Sequence, residues 1–171
     1  MESSRDSLIN TTETVPLSQT LINQITSIQS SNIESHIILY EQEPPLAEAY
    51  KEVIQREYEN CIVVGRSYDI LALLSTTKCH ILVTDLPSPG QSDGFEVIKT
   101  IREDLKLTFP IVVLTNFVSE SLIDCAYTLG ANAYLVKTEI EATHLERIIR
   151  RFSNPFVRFY LSLSIFLSNR F

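Results

Sequence analysis

Five short apolar runs limit what this chain can fold into. They are Ile37 to Tyr40, Cys61 to Val64, Ile81 to Val83, Ile111 to Leu114 and Ala133 to Val136. Each is rich in β-branched side chains and unbroken by a polar residue. Runs of that length suit strands covered on both faces. Between them the apolar period lengthens to that of a helix. Leu46, Tyr50, Val53 and Ile54 mark one helix after Pro44-Pro45, and Ile70, Leu71, Leu73 and Leu74 mark a shorter one. Phe95, Val97, Ile98 and Ile101 mark a third, and Leu122, Ile123, Ala126 and Leu129 a fourth. Ser119 reads as the N-cap of the fourth and Gly130 as its stop. A fifth is expected from Thr138, where Thr138-Glu139-Ile140-Glu141 reads as a capping box, through Leu145, Ile148 and Ile149. Five βα repeats over residues 36–152 predict an α/β fold: a doubly wound, five-stranded parallel sheet with helices on both faces.

The flanks differ from this middle. Of residues 1–35, 19 are Ser, Thr, Asn or Gln. Such a segment buries too little apolar surface to order itself, so residues 1–15 are expected to be mobile. Leu17, Leu21, Ile22, Ile25 and Ile28 recur at helical spacing after Pro16 and predict a short helix over 17–29. Residues 153–171 form an apolar, aromatic tail of unassigned role. Its uncharged stretch from Phe159 to Ser168 is too short to span a bilayer. Leu161-Ser-Leu-Ser-Ile165 alternates like a strand. The tail is expected to pack on the domain or on a second copy; contact with a membrane surface ranks below these and stays open.

Charge and cysteines narrow the function classes. The formal charge is −7 and no basic stripe is visible, which argues against direct nucleic acid binding. Cys61, Cys79 and Cys125 lack metal-ligand spacing and read as buried free thiols. The N-terminus lacks a basic start followed by an apolar stretch, so no secretory signal is read and a cytoplasmic location is expected.

In an open parallel sheet, ligands gather outside the carboxyl ends of the strands. Glu41, Gln42 and Glu43 follow the first run, Asp85 the third, Thr115 the fourth and Lys137 the fifth. Gly65-Arg66 follows the second and has no assigned role. Oxygen donors, a hydroxyl and an ammonium on one edge suit phosphoryl chemistry. A carboxylate attacks phosphorus to form an acyl phosphate. Mg²⁺ needs one or two carboxylates with further oxygens. A lysine neutralises the phosphoryl oxygens.

The segments IILYEQEP (37–44), ILVTDLPSPGQSDGFEVI (81–98), IVVLTN (111–116) and GANAYLVK (130–137) resemble the receiver domain of bacterial response regulators, of flavodoxin-like topology. The Lys137-Thr138 pair is most similar to the NarL/LuxR class. The resemblance implies that Asp85 accepts a phosphoryl group from a histidine kinase or phosphotransfer protein. It implies that Thr115 is the switch hydroxyl, Lys137 the phosphate-binding ammonium and Tyr134 the aromatic switch. The Leu86 and Asn116 amides would bind phosphate oxygens. Glu41, Gln42, Asp85 and the Pro87 carbonyl would surround Mg²⁺. Output would pass to a downstream protein, or to a second copy, through the face holding Thr115 and Tyr134. No enzyme activity beyond self-catalysed phosphorylation and dephosphorylation is implied. Phe117 and Val118 are expected to contact the partner.

Two features depart from the pattern. Glu41 and Gln42 stand where the family has two aspartates. Losing a full charge ~4 Å from a cation forfeits up to several kcal/mol at an effective dielectric of about 20. Weaker Mg²⁺ binding is therefore expected, and a pseudo-receiver that signals without phosphate is the alternative. The 19 residues after Phe152 are also too few for the helix-turn-helix module that usually follows in the NarL/LuxR class.

Overall fold

The computed structural model describes residues 35–86 and 93–168. The predicted helix over 17–29 and the loop carrying Pro87 and Pro89 lie outside them. The strands are β1 (His36–Tyr40), β2 (Cys61–Val64), β3 (Cys79–Thr84), β4 (Ile111–Thr115) and β5 (Ala133–Val136). All pair in parallel, in the order β2-β1-β3-β4-β5. Every residue of β1, β3 and β4 is buried, which is why their sequences run apolar without alternating. The outer strands β2 and β5 are only partly covered.

Among the described residues, six α-helices flank the sheet: α1 (Pro44–Gln55), α2 (Ser67–Leu74), α3 (Asp93–Lys99), α4 (Glu120–Thr128), α5 (Ala142–Ser153) and α6 (Pro155–Ser168). Ile70, Leu73, Val97, Ile98 and Ala126 pack with Ile38, Leu82 and Val113 on one face. Val53, Ile54, Leu145, Ile149 and Phe152 pack with Ile37, Leu39, Val83 and Val112 on the other. Each fully buried branched side chain in these layers contributes about 1.5–3 kcal/mol. The doubly wound, flavodoxin-like fold read from the sequence is the fold observed.

Several local expectations need correction. The fifth helix does not start at Thr138. Residues 137–139 form a turn, closed by the Glu139 amide donating to Val136 O. The capping box sits three residues later, between Glu141 and His144. The strand-like Leu161–Ile165 segment lies within helix α6. Asn154-Pro155 starts that helix: Asn154 Oδ1 accepts the Phe156 amide at 2.9 Å, and proline suits the first helical position. Val157 and Leu161, one turn apart, then rest against the core. Cys79 is buried and Cys61 half-buried, whereas Cys125 is exposed. Burial pushes the Cys61 thiol up to about 12.

One buried cation was not foreseen. Helix α3 widens into a π turn over Thr100–Asp104, and Arg102 enters the core with 5% of its surface exposed. Its guanidinium donates to Leu107 O at 2.7 Å, Phe109 O at 2.8 Å, Gly130 O at 3.1 Å and Asn132 Oδ1 at 3.1 Å. Burial lowers its pKa to about 10. Gly130 sits at φ +98°, and a Cβ there would lie 3.0 Å from the Arg102 side chain. The residue read as a helix stop therefore also leaves room for this arginine.

Candidate functional site

The strand order reverses direction between the neighbouring strands β1 and β3, and the site lies at the carboxyl ends of the strands there. Backbone hydrogen bonds fix its floor. The Glu41 amide donates to Val64 O at 3.1 Å, the Asp85 amide to Tyr40 O at 3.1 Å and the Lys137 amide to Thr115 O at 2.7 Å. Each residue thus continues its strand's ladder by one step before the chain turns away.

On this floor the side chains converge. Lys137 Nζ lies 2.9 Å from Asp85 Oδ2 and 2.5 Å from Glu41 Oε2. The side chains of Lys137 and Glu41 are 4% and 2% exposed, and that of Asp85 is 17% exposed. Asp85 is therefore the most open member of the triad. Burial raises the Asp85 pKa above its ordinary value, against the opposing pull of Lys137. Burial works to lower the Lys137 pKa, but its hydrogen bonds to Glu41 and Asp85 outweigh this and hold it above the usual value. The Lys137–Glu41 pair joins residues far apart in sequence, and spacing alone does not reveal it.

Thr115 is fully buried. Its hydroxyl donates to Leu86 O at 3.2 Å and accepts the Phe117 amide at 3.3 Å. Tyr134 donates its hydroxyl to Phe117 O at 2.9 Å. Both switch candidates therefore meet the same β4–α4 loop. Val118 in that loop is 61% exposed, and Phe117 is half-buried. The Leu86 backbone amide opposes the rise in the Asp85 pKa. Asn116 is exposed at the end of β4. The Pro87 carbonyl lies outside the described residues.

Gln42 follows Glu41 just beyond the end of β1. Its Nε2 donates to the Tyr40 hydroxyl. Among the described residues, no group of three or more His, Cys, Asp or Glu side chains converges as a metal site. Asp85 and Glu41 remain as two carboxylates on one edge. Mg²⁺ is held by one or two carboxylates with carbonyls and waters completing its shell, so this donor set fits a weakly held Mg²⁺.

Two neighbours went unread in the sequence. Tyr50 of α1 feels the charges of Lys137, Glu41, Asp85 and Glu43, and burial raises its pKa. Arg66, which had no assigned role, clamps Asp69 through paired bonds of 3.0 and 3.1 Å. It also lies 4.4 Å from the centre of the Tyr68 ring. These contacts order the start of α2.

The model of the response regulator receiver domain matches residues 37–150, which contain this whole constellation. The chain belongs to the response regulator receiver family. The receiver is 25% identical over 122 residues to the transcriptional regulatory protein CrdR of Helicobacter pylori, covering 71% of this chain and 56% of that protein. It is 29% identical over 114 residues to the uncharacterized transcriptional regulatory protein YxjL of Bacillus subtilis, covering 66% and 51%. The chain thus spans about half the length of these curated relatives. A DNA-binding response regulator of the LuxR family from Staphylococcus aureus matches with a TM-score of 0.62 at 20% identity, over 71% of this chain and all of that one. The chemotaxis protein CheY4 of Vibrio cholerae matches at 0.61 and 19%, over 69% and 98%. At such identities the structural likeness shows the fold. The family places the receiver in two-component signalling.

Proposed function

We propose that the receiver accepts a phosphoryl group on Asp85 from a histidine kinase or phosphotransfer protein and so switches its protein contacts. The observation that carries this reading is Lys137 Nζ, within hydrogen-bond reach of Asp85 Oδ2 at the open edge of the sheet. In the transfer, a carboxylate oxygen of Asp85 bonds to phosphorus as the bond to the donor's leaving group breaks. The Lys137 ammonium neutralises charge on the phosphoryl oxygens. The Leu86 and Asn116 amides are the candidate donors to those oxygens. Asp85 and Glu41, with the Gln42 carboxamide and the Pro87 carbonyl, would hold Mg²⁺. Mg²⁺, when bound, adds positive charge where the phosphoryl oxygens gather.

The switch would run through Thr115. Its hydroxyl now donates to Leu86 O, and a phosphoryl oxygen on Asp85 offers a charged acceptor instead. Moving it disturbs the Phe117 amide that it accepts, and with it the Phe117 carbonyl that holds Tyr134. A downstream protein or a second copy would read this change at Phe117, Val118 and Tyr134. A cytoplasmic setting belongs to the same reading.

Beryllium fluoride, a phosphoryl mimic, tests it with Mg²⁺ present. Amide NMR shifts are expected at Leu86, Thr115, Phe117 and Tyr134. A spectrum unchanged at all four would contradict the proposal. A second reading, a pseudo-receiver that needs no phosphate, is favoured by the bond that ties Gln42 to Tyr40. It predicts that unchanged spectrum, and an Asp85→Asn variant that binds its partner like the wild type.

A further inference from the structure

We propose that helix α6 lies on an anionic lipid surface, with its exposed aromatic side chains in the headgroup region. The helix has two unlike sides. Val157 and Leu161 pack on the core, and Arg158 Nη1 sits 2.9 Å from the buried His80 Nδ1. This fixes which side faces the domain. Phe156, Phe159 and Tyr160 are left 77%, 66% and 70% exposed. Their spacing of three and four residues places them on one helical face. Each is more exposed than Val118, Tyr127, Leu105 or Tyr68, the other exposed large apolar side chains over residues 35–86 and 94–161. An aromatic face ending in a tyrosine hydroxyl suits a boundary between hydrocarbon and water.

Length and charge select the occupant. Fourteen residues at about 1.5 Å each fall short of a hydrocarbon core of about 30 Å, and none of the described helices is long and apolar enough to cross a membrane. The helix is therefore suited to lie on a bilayer. Residues 147–171 hold five arginines and no acidic residue, in a chain of net charge −7. Arg150 is paired with Glu57 and Glu146. Arg147 and Arg151 are exposed on the adjoining α5. A second copy seated here would bring two such basic segments together, whereas an anionic lipid surface complements them. The helix contacts the start of β3 through His80, and Asp85 follows the end of the same strand. A lipid-bound receiver would thus keep its phosphoryl site at the opposite end of the sheet. The inference does not depend on phosphorylation, so an Asp85→Asn variant is expected to bind lipid like the wild type.

The chain has no tryptophan, so a Phe159→Trp variant of the full chain reports on this face alone. Its emission is expected to shift to the blue with vesicles of phosphatidylcholine containing about 30% phosphatidylserine, and far less with phosphatidylcholine alone. In flotation of the otherwise unaltered chain, binding is expected to weaken steeply as salt is raised. Phe156→Ser combined with Phe159→Ser should cut vesicle binding about tenfold or more and leave the far-UV circular dichroism intact. Arg147→Gln with Arg151→Gln should cut it several-fold and flatten the salt dependence. If the tryptophan does not shift on anionic vesicles at low salt, the proposal fails. It also fails if the double phenylalanine variant binds lipid undiminished, or if light scattering shows a lipid-indifferent dimer that this variant dissolves.

Discussion

Lys137 Nζ stands 2.9 Å from Asp85 Oδ2, joining the residue after β5 to the residue after β3. The same ammonium holds Glu41. One cation thus keeps two carboxylates together in a largely buried site. Lys137→Met removes it and leaves two like charges side by side. The expected loss of stability near neutral pH is about 3 kcal/mol, because an uncompensated buried charge costs that much. Adding Glu41→Gln should recover part of it, a coupling that urea unfolding of the single and double variants would measure.

Gln42 supplies a neutral oxygen where a carboxylate would add a full charge. Gln42→Asp is expected to tighten Mg²⁺ binding about tenfold or more. It also removes the bond that the Tyr40 hydroxyl now accepts from the Gln42 amide. Mg²⁺ titration of both proteins at fixed ionic strength checks this. Equal affinity would mean that position 42 lies outside the metal's reach.

The strands were legible because both faces of β1, β3 and β4 are buried, which writes an unbroken apolar run into the sequence. Asp85, Thr115 and Lys137 were legible because each stands at the carboxyl end of a strand marked by a short apolar run. Helix α6 was misread because Leu161-Ser-Leu-Ser-Ile165 fits a period of two, and only the Asn154-Pro155 start and the packing of Val157 and Leu161 decide for a helix. The Lys137–Glu41 contact and the Arg102 cluster stayed hidden because they join segments that no local pattern links.

Arg102 has no carboxylate partner in its cluster, only three carbonyls and an amide oxygen. Arg102→Ala empties the pocket and strips these acceptors of their donors. A loss of about 3 kcal/mol is expected. Gly130→Ala should cost about 1–2 kcal/mol, since it forces a side chain into a left-handed backbone against Arg102. Thermal unfolding of both variants would test these values.

His80 is buried, stacks on Tyr58 and contacts Arg158. Burial is the main reason that its pKa falls from 6.5 to about 4, and Arg158 adds to it. The fold therefore holds His80 neutral where the unfolded chain is protonated. This contribution is full above pH 6.5 and is lost as pH falls towards 4. The loss should amount to about 2–3 kcal/mol. Unfolding experiments from pH 7 to pH 4 should show a shallower decline for His80→Gln than for the wild type.

Intact-mass measurement after incubation with acetyl phosphate and Mg²⁺ shows whether Asp85 takes up a phosphoryl group. One acid-stable, base-labile adduct of about 80 Da is expected, the mass of a single phosphoryl group on a carboxylate. Peptide mapping should locate it at Asp85, and Asp85→Asn should abolish it. An unmodified wild-type chain, or an adduct that persists in Asp85→Asn, would contradict the account.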